Sequence, residues 1–274
     1  MKNIKSKKLI SMIITILIAF GLVGCSGATE KKVTTEASKV DMLKEKGKIV
    51  IGTSADYPPY EFHKSIDGKD TIVGFDIDVA KEIAKDLGVE LEIKDMKFDG
   101  LLAALETDNV DFVVAGMTPT EDRKKNVDFS KIYYTAVQCV VVRAEDEGVI
   151  KSIEDLKGKK VGVQKGAVQE QLANEQLTSS EIKPLGKVSD LILSLNTKKV
   201  DAVIVELPVA KAYVVKNTSL ALSKIVIKTE EEGSAIAIKK GNEDLVNSIN
   251  TTIDRLVNEK SIEKFVADAN DNAE

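Results

Sequence analysis

Two successive runs of short apolar strands alternating with amphipathic helices predict an α/β protein built as two lobes. Three observations carry this. Strand and helix alternate from Lys48 onward, and the alternation restarts after Tyr133-Tyr134. Val110-Asp111-Phe112-Val113-Val114 is echoed by Val200-Asp201-Ala202-Val203-Ile204, each segment following an amphipathic helix and leading into a polar turn. The chain has 274 residues, 43% of them hydrophobic, which is enough for two cores of 100 to 130 residues each.

The first 25 residues are read apart from the fold. Lys2, Lys5, Lys7 and Lys8 precede an apolar run at 9–23. As a helix it would reach roughly 22 Å, short of the hydrocarbon core of about 30 Å, so it reads as a signal peptide. It ends in Leu22-Val23-Gly24-Cys25, which resembles the lipobox of bacterial lipoproteins. That resemblance implies acylation of Cys25 as the mature amino terminus, anchoring the protein to the extracytoplasmic face of the cell membrane. Each buried methylene of the acyl chains contributes about 0.8 kcal/mol. Residues 26–47 read as a flexible polar tether followed by a short helix at Val40-Asp41-Met42-Leu43.

The remaining cysteine, Cys139, then has no partner, so an exported chain relies on its core rather than on a disulfide. Without the four leader lysines, 35 Lys+Arg stand against 44 Asp+Glu, a balance of about −9. An acidic chain argues against nucleic acid as a partner. A single histidine, His63, and the lack of paired Cys or clustered Asp motifs argue against a metal site. No cofactor is expected, and the protein is expected to be a monomer.

The mature elements follow in order. Lys48-Ile49-Val50-Ile51-Gly52-Thr53 is a strand, and Tyr57-Pro58-Pro59-Tyr60 is a loop that cannot extend it. Apolar residues at helical spacing from Gly74 to Ala84 give a helix closed by Gly88, and Leu91 and Ile93 alternate with charges as a strand. A helix around 101–105 and a strand at 110–115 complete the first run. In the second run, 137–143 is a strand, 153–159 a helix and 160–163 a strand ending at Gly166. Helices near 168–177 and 188–196 flank a strand at 202–205. A strand at 234–238 and two helical segments within 245–265, divided at Lys260, end the chain. Such alternation predicts parallel sheets.

The segment Asp111 to Ser130, DFVVAGMTPTEDRKKNVDFS, joins a strand end to a helix start. Gly116 permits close backbone approach, Thr118 offers an N–H and a hydroxyl, and Arg123 carries the two-pronged donor that suits a carboxylate.

Taken together, several stretches identify the chain as resembling the polar amino-acid solute-binding proteins of ABC importers. These are Gly52 to Phe62, Val73 to Ala80, Ala115 to Arg123 with Val127-Asp128-Phe129-Ser130, Leu156 to Val163, and Asp201-Ala202-Val203. The resemblance implies a periplasmic-binding-protein type II fold, with lobe one at 48–136 plus 233–274, lobe two at 137–232, and two crossing strands as the hinge. It implies a polar amino acid as ligand, the transmembrane subunits of a permease as partner, and closure by hinge motion.

By position, the resemblance assigns the ligand carboxylate to Gly116, Thr118 and Arg123 in lobe one and to Ala167, Val168 and Gln169 in lobe two. Glu206, with Gly116, would receive the ammonium. Tyr57, Phe98, Ser54 and Gln164 would surround the ligand side chain. Ser54 is neutral and Gln164 offers both donor and acceptor, so a neutral polar and a basic ligand both stay open. Two other readings use the same cleft: a sensor or adhesin, and an enzyme like the cyclohexadienyl dehydratases. For the enzyme, Glu206 is the one acid or base candidate, with no nucleophile pair or metal set beside it.

Overall fold

The computed structural model describes residues 38–229 and 233–273. The signal peptide, Cys25 and the tether as far as residue 37 lie outside the described residues. So do residues 230–232, which fall within the second of the two crossings expected between lobes, at 135–138 and 229–233.

Helix α1 (Lys39–Lys46) begins where the Ser38 hydroxyl accepts from the Asp41 N–H and stops at Gly47, which takes a left-handed φ of 71°. Strand β1 (Lys48–Thr53) leads through β2 (Asp56–Tyr57) and a cis Pro58–Pro59 bond to the hairpin β3 (Glu61–Ile66) and β4 (Lys69–Val73). Then come α2 (Phe75–Leu87), β5 (Glu90–Asp95), a 3-10 turn at Phe98–Gly100, α3 (Leu101–Glu106), β6 (Phe112–Val113), α4 (Glu121–Lys124) and β7 (Val127–Phe129). The second run is β8 (Gln138–Arg143), β9 (Lys160–Gln164), α5 (Val168–Gln176), β10 (Glu181–Leu185), α6 (Val188–Asn196), β11 (Ala202–Glu206), α7 (Leu207–Lys216) and β12 (Leu220–Ile227). Strand β13 (Ala237–Lys239) and helices α8 (Glu243–Asn258) and α9 (Ser261–Ala273) complete the chain.

The strands form two five-stranded sheets of matching plan, β5-β1-β6-β13-β7 and β10-β9-β11-β8-β12. β1 pairs in parallel with β5 and β6, as β9 does with β10 and β11. Each sheet also takes in a strand from a crossing. β13 runs antiparallel to β6 and β7, and β8 runs antiparallel to β11 and β12. The parallel expectation is therefore corrected: the strand that follows each crossing, β8 or β13, enters its sheet antiparallel to its neighbours. At the crossing, Tyr134 and Ser234 form an isolated antiparallel bridge, with Ser234 N–H donating to the Tyr134 carbonyl at 2.7 Å.

Several boundaries differ from expectation. The strand expected at 110–115 narrows to β6, because Asp111 pairs through its side chain and Gly116 turns the chain with φ 54°. The helix expected at 153–159 is one 3-10 turn, Ile153–Leu156, held by a reciprocal Ser152 and Asp155 capping box. The strand expected at 234–238 starts at Ala237. Cys139 is buried on β8 with a free thiol, which burial pushes up to about 12. His63 is exposed, beside Asp70.

Candidate functional site

The carboxyl ends of β6 and β9 face each other, and the turns beyond them form opposite walls of one cleft. After β6 the chain bends at Gly116, where a Cβ would lie 3.3 Å from the rings of both Tyr57 and Tyr60. Thr120 caps α4 by accepting from the Arg123 N–H at 3.3 Å, which fixes where the arginine leaves the helix. The half-buried guanidinium is then held from three sides. Nη1 donates to the Thr118 carbonyl at 2.6 Å, Nη2 donates to the Gly166 carbonyl of the other lobe at 2.8 Å, and Cζ lies 5.4 Å from the centre of the Phe98 ring.

On the second wall, Gly166 turns β9 into α5 with φ 75°, and its N–H donates to Glu170 Oε2 at 2.7 Å. The Ala167 N–H bonds back to the Gln164 carbonyl at 3.2 Å. The first-turn N–H groups of Val168 and Gln169 have no helical carbonyl to meet and carry the positive end of the helix dipole. This wall therefore adds positive character opposite Arg123.

An acidic pole lies at the end of β11. Glu206 is buried, its Oε2 accepts from the Tyr60 hydroxyl, and its Oε1 accepts from Gln138 Nε2 at 3.4 Å. Gln169 Nε2 donates to Gln138 Oε1 at 2.9 Å and to the Tyr57 hydroxyl at 3.4 Å, so one polar network joins both lobes. Burial pushes the Glu206 carboxyl up to about 7, against the opposing bonds from Tyr60 and Gln138. No cation pairs with it among the described residues. Asp76, at the start of α2, accepts from the Gly116 N–H and the Tyr133 hydroxyl, both at 2.8 Å, and burial raises it to about 6. Glu61 is fully buried beside it, and burial with the Asp76 charge holds Glu61 well above the usual carboxylate range.

Most of the expected site residues come together. Tyr57, Phe98, Gly116, Thr118, Arg123, Gln164, Ala167, Val168 and Gln169 surround one cavity, with Ala115 beside them. The enclosed space is about 10 Å³, hardly one water molecule. Two expected residues lie behind it. Ser54 is buried and its hydroxyl donates to Asp56 Oδ1 at 3.3 Å, while Glu206 sits beneath Tyr60 and Gln138. The Gly116 N–H is committed to Asp76. Tyr57 and Phe98 are buried wall residues that also pack on the core, Tyr57 lying 5.2 Å from Tyr60 between ring centres. Gln164 Nε2 has no hydrogen-bond partner among the described residues. Tyr60 and Gln138, which hold Glu206, were not expected from the sequence. The Tyr-Pro-Pro-Tyr motif marks Tyr60, but nothing in the spacing points to Gln138.

Comparison with known proteins identifies the family and the fold. The model of the bacterial extracellular solute-binding proteins, family 3, matches residues 49–268. The arginine-binding extracellular protein ArtP of Bacillus subtilis (strain 168) is 38% identical over 262 residues, covering 94% of this chain and 96% of that protein. The L-cystine-binding protein TcyJ of Escherichia coli (strain K12) is 34% identical over 215 residues, 78% of this chain and 79% of its own. A crystal structure of an amino acid ABC transporter substrate-binding protein, AbpA from Streptococcus pneumoniae, bound to L-arginine, superposes with a TM-score of 0.83 at 39% identity, covering 85% of this chain and 98% of that one. These relatives are binding proteins and not enzymes, and the fold is the two-lobed type II arrangement. The chain belongs to the bacterial extracellular solute-binding proteins of family 3.

Proposed function

We propose that the protein is the receptor of an amino-acid ABC importer and that L-arginine is its ligand. One observation carries this reading: Arg123 lines the cavity, and behind it, joined through Gln169 and Gln138, lies the buried Glu206 carboxyl, which pairs with no cation among the described residues. Arg123, the Thr118 hydroxyl and the first-turn amides of α5 receive the α-carboxylate. Glu206, with the Gly116 carbonyl, receives the α-ammonium, which gives the buried carboxylate the cation it lacks. Tyr57 and Phe98 flank the side chain, and the Phe98 face, already against one guanidinium, suits another. Relatives named for arginine support the choice. Gln164 favours a second reading, L-glutamine, because its unpartnered Nε2 would find an acceptor in a ligand amide.

The remaining parts of the proposal follow from the same frame. Lobe one comprises 48–136 and 233–274, lobe two 137–232, and the chain pivots near Tyr134 and Ser234. Because the walls enclose only about 10 Å³, a ligand enters when they separate and is captured when they close. Lipid at Cys25 holds the receptor on the extracytoplasmic face, where it delivers its ligand to the permease.

The test is calorimetric titration of protein refolded to strip carried ligand, against arginine, glutamine, cystine and the other amino acids. Tight binding of arginine with glutamine at least tenfold weaker supports the proposal. The reverse order supports the glutamine reading, and binding of neither removes both.

A further inference from the structure

We propose that Asp56 is a positioning residue that latches the lobes together, by capping a helix of lobe two from lobe one. The proposal rests on the receptor reading only for its effect on affinity. Asp56 begins β2, just before the wall residue Tyr57. Its Oδ2 accepts from the Ser189 N–H at 2.8 Å, across a sequence distance of 133 residues. Ser189 is the second residue of α6, and the residue in the N-cap position, Lys187, supplies no side-chain cap. Lysine carries no acceptor, so the first turn of α6 cannot be capped from within its own chain segment. Asp56 fills that place from the opposite lobe, and its charge suits the positive end of the helix dipole.

Two further contacts share the same seam. The Tyr213 hydroxyl of α7 donates to the Asp56 carbonyl at 2.8 Å. The Lys187 ammonium lies 2.9 Å from Asp95 Oδ2, while Asp95 Oδ1 accepts from the Ala55 N–H at 2.8 Å and His63 Nε2 stands 3.6 Å away. Thus Asp56 and Asp95 of one lobe grip Lys187, Ser189 and Tyr213 of the other, with the Ala55 N–H steadying Asp95. None of these residues lines the cavity.

A contact made only between closed lobes, and outside the ligand's reach, shifts the open–closed equilibrium without choosing among ligands. The apparent dissociation constant scales inversely with the closed fraction. Asp56→Ala should therefore weaken binding of every accepted amino acid by one common factor, about 3- to 30-fold from the usual worth of a cap, mainly through faster dissociation. Asp56→Asn keeps an acceptor of the same reach and should recover most of the loss. Lys187→Gln, at a more exposed position, should act in the same direction by a smaller factor, and it serves if Asp56→Ala fails to fold.

The experiment combines ligand titration with small-angle X-ray scattering of ligand-free protein. The expected result is a uniform loss of affinity, rescue by asparagine, and ligand-free scattering that is more open in Asp56→Ala. Equal affinity and equal scattering in folded wild type and variants would overturn the latch. A loss confined to one amino acid would also overturn it, making Asp56 a ligand contact. So would an asparagine variant as weak as alanine. If wild type binds no amino acid, the receptor reading fails, and scattering then decides the latch alone, equal profiles rejecting it and a more open variant supporting it.

Discussion

Arg123 is held by two carbonyls, one from each lobe, and a carbonyl is a weak substitute for a carboxylate. Exchanging the Gly166 carbonyl for a ligand carboxylate replaces a neutral acceptor by a charged one opposite the guanidinium. Arg123→Ala should cost about 2–5 kcal/mol of amino-acid binding while leaving the fold intact, read by calorimetry beside a melting curve. Glu206 makes a second prediction at this scale. Its folded, ligand-free carboxyl titrates at about 7, and an ammonium ion needs the ionised form. Below pH 7 the proton must leave before the ammonium can pair, so affinity falls as pH falls, by up to about tenfold per unit. Titrations at pH 8 and pH 6 in buffers of different ionisation enthalpy should show weaker binding and more proton release at the lower pH. Equal affinities would remove Glu206 as the ammonium partner. Arg123 and Thr118 were legible in the sequence because strand end, glycine and helix start are adjacent along the chain, whereas Gln164 entered only through the family resemblance. Gln138 was not, since its bond to Glu206 spans 68 residues and its own segment reads only as strand.

The matching strand orders give the internal echo a physical basis. Asp111 precedes β6 as Asp201 precedes β11, and each uses its side chain as an extra rung of the ladder. Asp111 Oδ2 accepts from the Val50 N–H at 2.8 Å, and Asp201 Oδ2 accepts from the Lys160 N–H at 2.9 Å. Their surroundings differ. Both carboxylates are ion-paired, Asp111 with Lys39 at 2.7 Å and Asp201 with Arg143 at 3.3 Å, but Val50 is buried whereas Lys160 is exposed. Removing the acceptor leaves a buried N–H stranded in one case and a hydrated one in the other. Asp111→Ala should therefore lose about 1–3 kcal/mol in denaturant unfolding, and Asp201→Ala clearly less; equal losses would contradict this account. Elements with strong apolar periodicity, such as β1, α2 and α6, were legible. The hairpin β3/β4 was not, because His63, Lys64 and Ser65 give it little apolar alternation and it reads as loop. β10 carries Pro184 on a sheet edge, where the missing N–H is tolerated. β12 was broken by a register shift between Leu222 and Val226, and the valines of α7 masked a helix started by Pro208.

Across the whole molecule, buried carboxyls accumulate where the two lobes meet. Glu61, Asp76 and Glu206 are all raised, chiefly by burial, Asp76 from 3.8 to about 6 and Glu206 from 4.5 to about 7. A carboxyl raised by folding contributes stability at low pH, where both states hold the proton, and that stability is lost as pH climbs through the folded value. The surface acids act in the opposite sense: Glu82 is lowered chiefly by Lys85 and then by Arg255 on α8, Asp86 is lowered by Arg255 against its partial burial, and their small contribution is lost as pH falls through those lowered values. Ligand-free protein should thus be most stable near pH 5 and decline toward pH 8. At about 1.4 kcal/mol per pH unit for each group, less what relaxation recovers, the loss is on the order of 2–4 kcal/mol, or several degrees of melting temperature. Glu206→Gln removes one of the titrating groups and should flatten the decline. Bound amino acid should flatten it as well, because an ammonium ion stabilises the ionised Glu206 that burial penalises. Melting curves at pH 5.5 and 8, with and without arginine, separate these terms. A ligand-free melting temperature that rises between those values would mean that the buried carboxyls are hydrated, and would take the acidic pole out of the closed cleft. A decline that arginine abolishes, and that Glu206→Gln abolishes without arginine, would tie the stability cost of the empty cleft to the same carboxyl that captures the ligand.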